Sequence, residues 1–153
     1  MDREELIRKY DGGERDFTGE NFRGVHWNDR VYKRIIYQQT DFSNSYFDSS
    51  GFSGCDLSFA KFVRARMYEG GFADCYMPGA DSRGATFGQI VFNDVDLTSA
   101  IFKNTDLVET SFTRCNLAYA DFTGARNLRL RPFKECLIYE TIMPDGSICT
   151  DDV

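Results

Sequence analysis

Large apolar residues return along this chain every fifth position. Twelve of the fourteen phenylalanines occupy positions of the form 5n+2, from Phe17 to Phe122, where chance would place about three. Only Phe59 and Phe133 escape. Leu, Met, Tyr and Trp fill the other 5n+2 positions, with Ser82 as the one polar exception. A period of five fits neither a helix at 3.6 nor a strand at 2, so it marks an internal repeat. Two residues before each large residue lies a second special position. From Cys55 to Ala125 it is mostly Ala, Cys, Thr or Gly. The other three positions carry most of the Asp, Asn, Ser, Thr, Arg and Lys. One large and one small inward residue per unit predict a narrow filled tube with a polar exterior. Two bulky groups per unit could not share so thin an interior at normal packing density.

The units CDLSF, ADCYM, VDLTS, TDLVE, CNLAY and ADFTG resemble the A(D/N)Lxx motif of pentapeptide repeat proteins. The resemblance covers about 110 of 153 residues in more than twenty consecutive units. It implies an all-β fold, a right-handed quadrilateral parallel β-helix solenoid with a short N-terminal helix cap. Each unit forms one face and four units form a coil of 20 residues. The run then holds about five and a half coils, stacked to about 26 Å at the usual strand spacing. Residues 20 apart agree in type, as four-sided coils require. One inward column reads Phe22, Phe42, Phe62, Ser82, Phe102 and Phe122. A second reads Tyr32, Phe52, Phe72, Phe92 and Phe112, and a third Phe17, Tyr37, Leu57, Met77, Leu97 and Leu117. Cys55, Cys75 and Cys115 share a small-residue column in which Val95 fills one rung.

The sequence divides into a helical cap at 1–14, the β-helix at 15–126 and a C-terminal cap and tail at 127–153. Asp2 is the expected N-cap, with Glu4 and Glu5 in the first turn, Leu6, Ile7 and Tyr10 on one face, and Gly12-Gly13 as the stop. This segment is expected to lie across the first coil. Between Val25 and Tyr37 the small inward position falls on Arg30, which a dry tube cannot hold unpaired. That stretch is therefore expected to be a widened or bulged coil, with a looped-out segment as the other option. The register is lost at Asn127. Pro132 argues against a long helix beyond it, Pro144-Asp145-Gly146 reads as a turn, and Asp151-Asp152 as a floppy tip. Both ends resemble those of cyanobacterial members of the family.

Composition narrows the chemistry. The net charge is −6, which disfavours direct nucleic-acid binding. No apolar run reaches the ~20 residues of a membrane span, and the acidic N-terminus is not a secretory signal. Five cysteines without a CxxC pair suggest a reduced, cytoplasmic protein in which the thiols act as small core fillers. One histidine cannot support a Ser–His–Asp arrangement or a histidine-rich metal site, and GGERDF lacks the strand and lysine of a phosphate-cradling loop. The acids Asp16, Asp41, Asp56, Asp81, Asp96, Asp106 and Asp121 follow the repeat and are read as corner residues rather than catalytic pairs. The expectation is a non-enzyme with no catalytic, cofactor or metal residues.

His26, Tyr46 and Arg66 share an outward column and, with Tyr68, form the candidate interaction patch. Phe59, Tyr76 and Tyr119 are also expected outside. The expected function is a protein-interaction scaffold or regulatory module, monomeric or weakly dimeric, with a partner the sequence does not name. The alternative comes from the resemblance, since some family members mimic B-form DNA and bind DNA gyrase. Between Asp41 and Ala125 there are 11 acids and 6 bases, a net of −5, and the bases interrupt any acidic stripe.

Overall fold

Each five-residue unit makes one side of a square coil, and successive coils pair in parallel at a spacing of 20 residues. The computed structural model describes residues 1–129 and 131–152. On face one, Asp16, Ile36, Asp56, Tyr76, Asp96 and Asn116 bridge in turn; on face two, Asn21, Asp41, Lys61, Asp81, Ile101 and Asp121 do the same. Faces three and four carry the named strands. Face three stacks β1 (His26–Asn28), β3 (Tyr46–Asp48) and the first half of β5 (Arg66–Ala73) and β6 (Thr86–Asn93). Face four stacks β2 (Val31–Lys33), β4 (Gly51–Ser53), the second half of β5 and β6, then β7 (Ser111–Thr113). β5 and β6 thus run unbroken around the corner between these two faces.

The chain turns each corner with a residue at 5n+4 in the left-handed region. Gly19, Gly24, Gly54, Gly79, Gly84 and Gly124 hold six of these corners, and residues such as Asn44, Phe59, Asp94 and Tyr119 take the same conformation elsewhere. Glycine enters it without steric cost and other residues do not. The acids at 5n+1 brace many of these turns. Asp16, Asp41, Asp56, Asp81, Asp96 and Asp121 each accept the backbone N–H two residues on, which is the turn role read from the sequence. Asp106 instead accepts from the Asn127 amide.

Inside, the columns pack as rings stacked along the axis and edge-on across it. Phe52, Phe72, Phe92 and Phe112 stack with centroids 5.3, 4.9 and 4.8 Å apart. Phe102 and Phe122 stack at 4.8 Å and meet Phe112 edge-on. Both arrangements suit the ring quadrupole. Phe22, Phe42, Phe62, Leu57, Leu97, Leu117, Cys55, Cys75 and Cys115 are buried with them. The small column also forms hydrogen bonds. Thr40, Ser45, Thr105 and Thr110 donate their hydroxyls to the carbonyls of Phe17, Phe22, Ser82 and Phe87, and the thiols of Cys55, Cys75 and Cys115 do the same to Tyr32, Phe52 and Phe92.

Helix α1 (Arg3–Asp11) closes the N-terminal end. The Asp2 side chain accepts from the Glu5 N–H, and Gly12 caps the other end. Leu6 is fully buried against the first coil, and the Arg3 guanidinium donates to the Asn28 carbonyl. The first coil itself is regular, contrary to the bulge or loop expected there: His26–Asn28 and Val31–Lys33 pair in the common 20-residue register. Arg30 does not enter a dry tube. It sits half-buried at the open end, 3.5 Å from Asp11 and 5.4 Å from the Tyr10 ring centroid. The helix supplies the counter-charge that the coil lacks.

At the other end the coil continues one residue out of step. β8 (Phe133–Lys134) pairs with β7 so that Phe133 lies beside Phe112, and Leu137 and Ile142 bridge Asn116 and Asp121, each at a spacing of 21. Phe133, Ile138 and Cys136 are buried on this further coil, in a register shifted by one. β9 (Leu137–Ile142) then turns through Pro144–Ser147 into an antiparallel β10 (Ile148–Asp152). Asp151 and Asp152 pair with Ile138 and Leu137, so the expected floppy tip is a strand. Among the described residues, no helix is long and apolar enough to cross a membrane.

Candidate interaction surface

Face three carries an outward column of aromatic and basic side chains. Its strands set the 5n+1 and 5n+3 side chains outward, so residues 20 apart stand one above another. His26 stacks on Tyr46 with centroids 4.6 Å apart and rings within 13° of parallel. The Arg66 guanidinium lies 5.8 Å from the ring centroids of both Tyr46 and Tyr68. The four residues of the sequence-derived patch therefore form one contiguous surface. Tyr68 is half-buried because its ring lies across Gly88, where an added Cβ would come within 2.5 Å of it. Val108, exposed, extends the patch at the next coil. The sequence reading missed Gly88 and Val108, although both stand at multiples of 20 from Tyr68.

The other expected outward aromatics lie apart from this patch. Phe59, 60% exposed, stands at a corner between faces one and two and covers Gly79. Tyr76 is exposed on face one, and Tyr119 meets Tyr139 edge-on at 5.5 Å. Face four is almost uncharged. Val31, Gly51, Gly71 and Val91 form its outward column, and Ser53, Ala73 and Asn93 stand beside them.

Acids on face two are matched with bases. Arg23 lies 3.2 Å from Asp41, Arg83 2.7 Å from Asp81 and Lys103 3.1 Å from Asp121. Lys61 interrupts the same outward column. On the corner between faces four and one, Arg114 makes a two-pronged pair with Asp94 at 2.7 and 2.8 Å.

Two of the buried thiols, Cys75 and Cys115, offer little nucleophilic chemistry. The neighbouring Cys55 and burial together push the Cys75 thiol above the ordinary thiol range, and Cys136 and burial do the same to Cys115. Such thiols stay protonated and unreactive. Among the described residues, no group of three His, Cys, Asp or Glu side chains is placed to hold a metal ion.

Comparison with known proteins agrees with this architecture. The pentapeptide-repeat family model matches in eight copies over residues 37–68 and 91–126. A trypsin-treated variant of QnrB1, a plasmid-mediated fluoroquinolone resistance protein, is similar in fold at 17% identity and a TM-score of 0.56, over 86% of this chain and 83% of that one. Rfr23, a pentapeptide repeat protein from the cyanobacterium Cyanothece 51142, aligns at 19% identity and a TM-score of 0.45, over 80% of this chain and 94% of its own. No curated protein matches by sequence. The five-residue period, the square coil it builds and the eight matched copies make this chain a pentapeptide repeat protein.

Proposed function

We propose that the chain is a non-enzymatic protein-interaction scaffold that presents face three to a protein partner. The observation that carries this reading is the column of His26, Tyr46 and Arg66 with Tyr68, stacked on a rigid β surface. Tyr and Arg are the residue types that dominate interface energetics, and a surface already ordered loses little entropy on binding. The interior of the tube is filled by Phe side chains, which supports a role carried by its surface. A cytoplasmic, cyanobacterial setting belongs to the same reading, and no cofactor is needed.

The test is comparative affinity capture with the wild-type chain and a Tyr46→Ser/Arg66→Ser variant. Both positions face outward, so the variant is expected to keep the wild-type melting temperature. A protein retained in stoichiometric amount by the wild type and lost by the variant supports the reading. The same proteins at the same ratio on both baits would exclude face three.

The alternative is a DNA mimic that binds gyrase, supported by the surplus of acids along the coils and by the fold likeness to QnrB1. The Arg23–Asp41, Arg83–Asp81 and Lys103–Asp121 pairs weaken it, because they neutralise the face on which an acidic stripe would run. Inhibition of gyrase supercoiling at stoichiometric protein would favour the alternative over the scaffold.

A further inference from the structure

From the junction of the helical cap with the first two coils, we infer a second site, one that binds a small oxyanion of the phosphate class. A cleft of about 670 Å³ opens there, lined by Tyr10, Arg15, Lys33, Arg34 and Asp74 together with Ser53 and Gly54. Its volume falls within the range of small-molecule sites. Three cations and one carboxylate line it. Among the described residues, none of the three cations is in an ion pair, whereas Arg23, Arg83, Lys103 and Arg114 are each matched with an aspartate. A concentration of unmatched positive charge in one concavity is notable in a chain of net charge −6.

The Arg15 guanidinium is held rather than free. Arg15 lies flat on the Tyr10 ring, 3.7 Å from its centroid, and its Nη1 donates to the carbonyls of Tyr10 and Glu14. Nε and Nη2 of that guanidinium are left as a fork for a ligand. Arg34 takes the left-handed corner conformation and passes over Gly54, where an added Cβ would stand 3.6 Å from its Cγ. Lys33 is fixed to the cap by its carbonyl, which accepts from the Tyr10 hydroxyl at 3.5 Å. The site therefore needs helix, strand and corner together. A planar fork and a point charge suit the oxygens of a phosphate dianion.

The test is titration of the whole chain with inorganic phosphate at constant ionic strength, followed by amide chemical shifts. Saturable shifts confined to residues around Tyr10, Lys33 and Gly54 are expected, with acetate binding at least roughly tenfold more weakly for its single charge. Arg34→Asn keeps a residue that tolerates the left-handed corner, and Lys33→Gln keeps the strand; each should weaken phosphate binding at least about fivefold. Lys61→Gln, on face two, should leave it unchanged. Absence of saturation, or equal affinity in Arg34→Asn, Lys33→Gln and the wild type, would overturn the site.

Discussion

Thr110 donates its hydroxyl to the carbonyl of Phe87, 23 residues earlier, at 2.7 Å in the core. Thr40 and Phe17 repeat the relation at the same separation, as do Cys75 and Phe52, and Thr141 and Leu117 repeat it at 24. The separation of 24 records the one-residue shift of the last coil. Hydroxyls and thiols at the small inward positions therefore tie successive coils together through the carbonyls at the face centres.

Thr110→Val keeps the shape and removes this bond. A loss of about 1–2 kcal/mol is expected, since the buried carbonyl of Phe87 loses a donor. Urea unfolding measures it. No change in midpoint would mean that the hydroxyl contributes only volume.

Gly70 and Gly71 are required for a different reason. An added Cβ at Gly70 would stand 1.9 Å from the Ser50 carbonyl oxygen, and one at Gly71 2.2 Å from that of Val91. Backbone of a neighbouring coil cannot step aside, so each Ala substitution should cost more than about 2 kcal/mol. Gly88→Ala meets only the Tyr68 ring, which can swing away, and should cost under about 1 kcal/mol. Comparable melting temperatures for all three variants would contradict the close approach of these coils.

Tyr37 is fully buried and, among the described residues, its hydroxyl has no hydrogen-bond partner. Burial drives its ionisation far above the ordinary tyrosine range. Tyr37→Phe removes an unsatisfied group and is expected to be neutral or to stabilise by up to about 1 kcal/mol. Destabilisation beyond about 1 kcal/mol in the same unfolding assay would show that the hydroxyl is partnered.

The corner carboxylates predict an acid-side loss of stability. Burial raises the Asp56 carboxyl, but hydrogen bonds from Ser58 and Gln38 outweigh it and hold the group below the usual carboxylate value; Asp41 and Asp121 are shifted the same way. A depressed folded value means that the stabilisation is complete above the unfolded carboxylate value of about 3.9 and is lost as pH falls through the folded one. Asn116 braces its own turn without charge. Replacing Asp41, Asp56 and Asp121 by Asn should therefore flatten the fall in melting temperature below about pH 4. An unchanged slope would place the acid sensitivity elsewhere.

The sequence by itself determined the coil. Phenylalanines on 5n+2 and their agreement at 20 residues are one-dimensional records of a square cross-section, and the His26, Tyr46 and Arg66 column follows from the same arithmetic. Six glycines at 5n+4 also marked the left-handed corners for a reader looking for them. Only the tertiary structure decided the rest, because it depends on contacts between segments rather than on period. Arg30 looked incompatible with a regular first coil until Asp11 of the helix came beside it. Phe133 looked out of place until the last coil was found shifted by one and ring-packed on Phe112. The cleft between Arg15, Lys33 and Arg34 exists only because α1 folds back over the end of the tube, and no spacing in the chain encodes that closure.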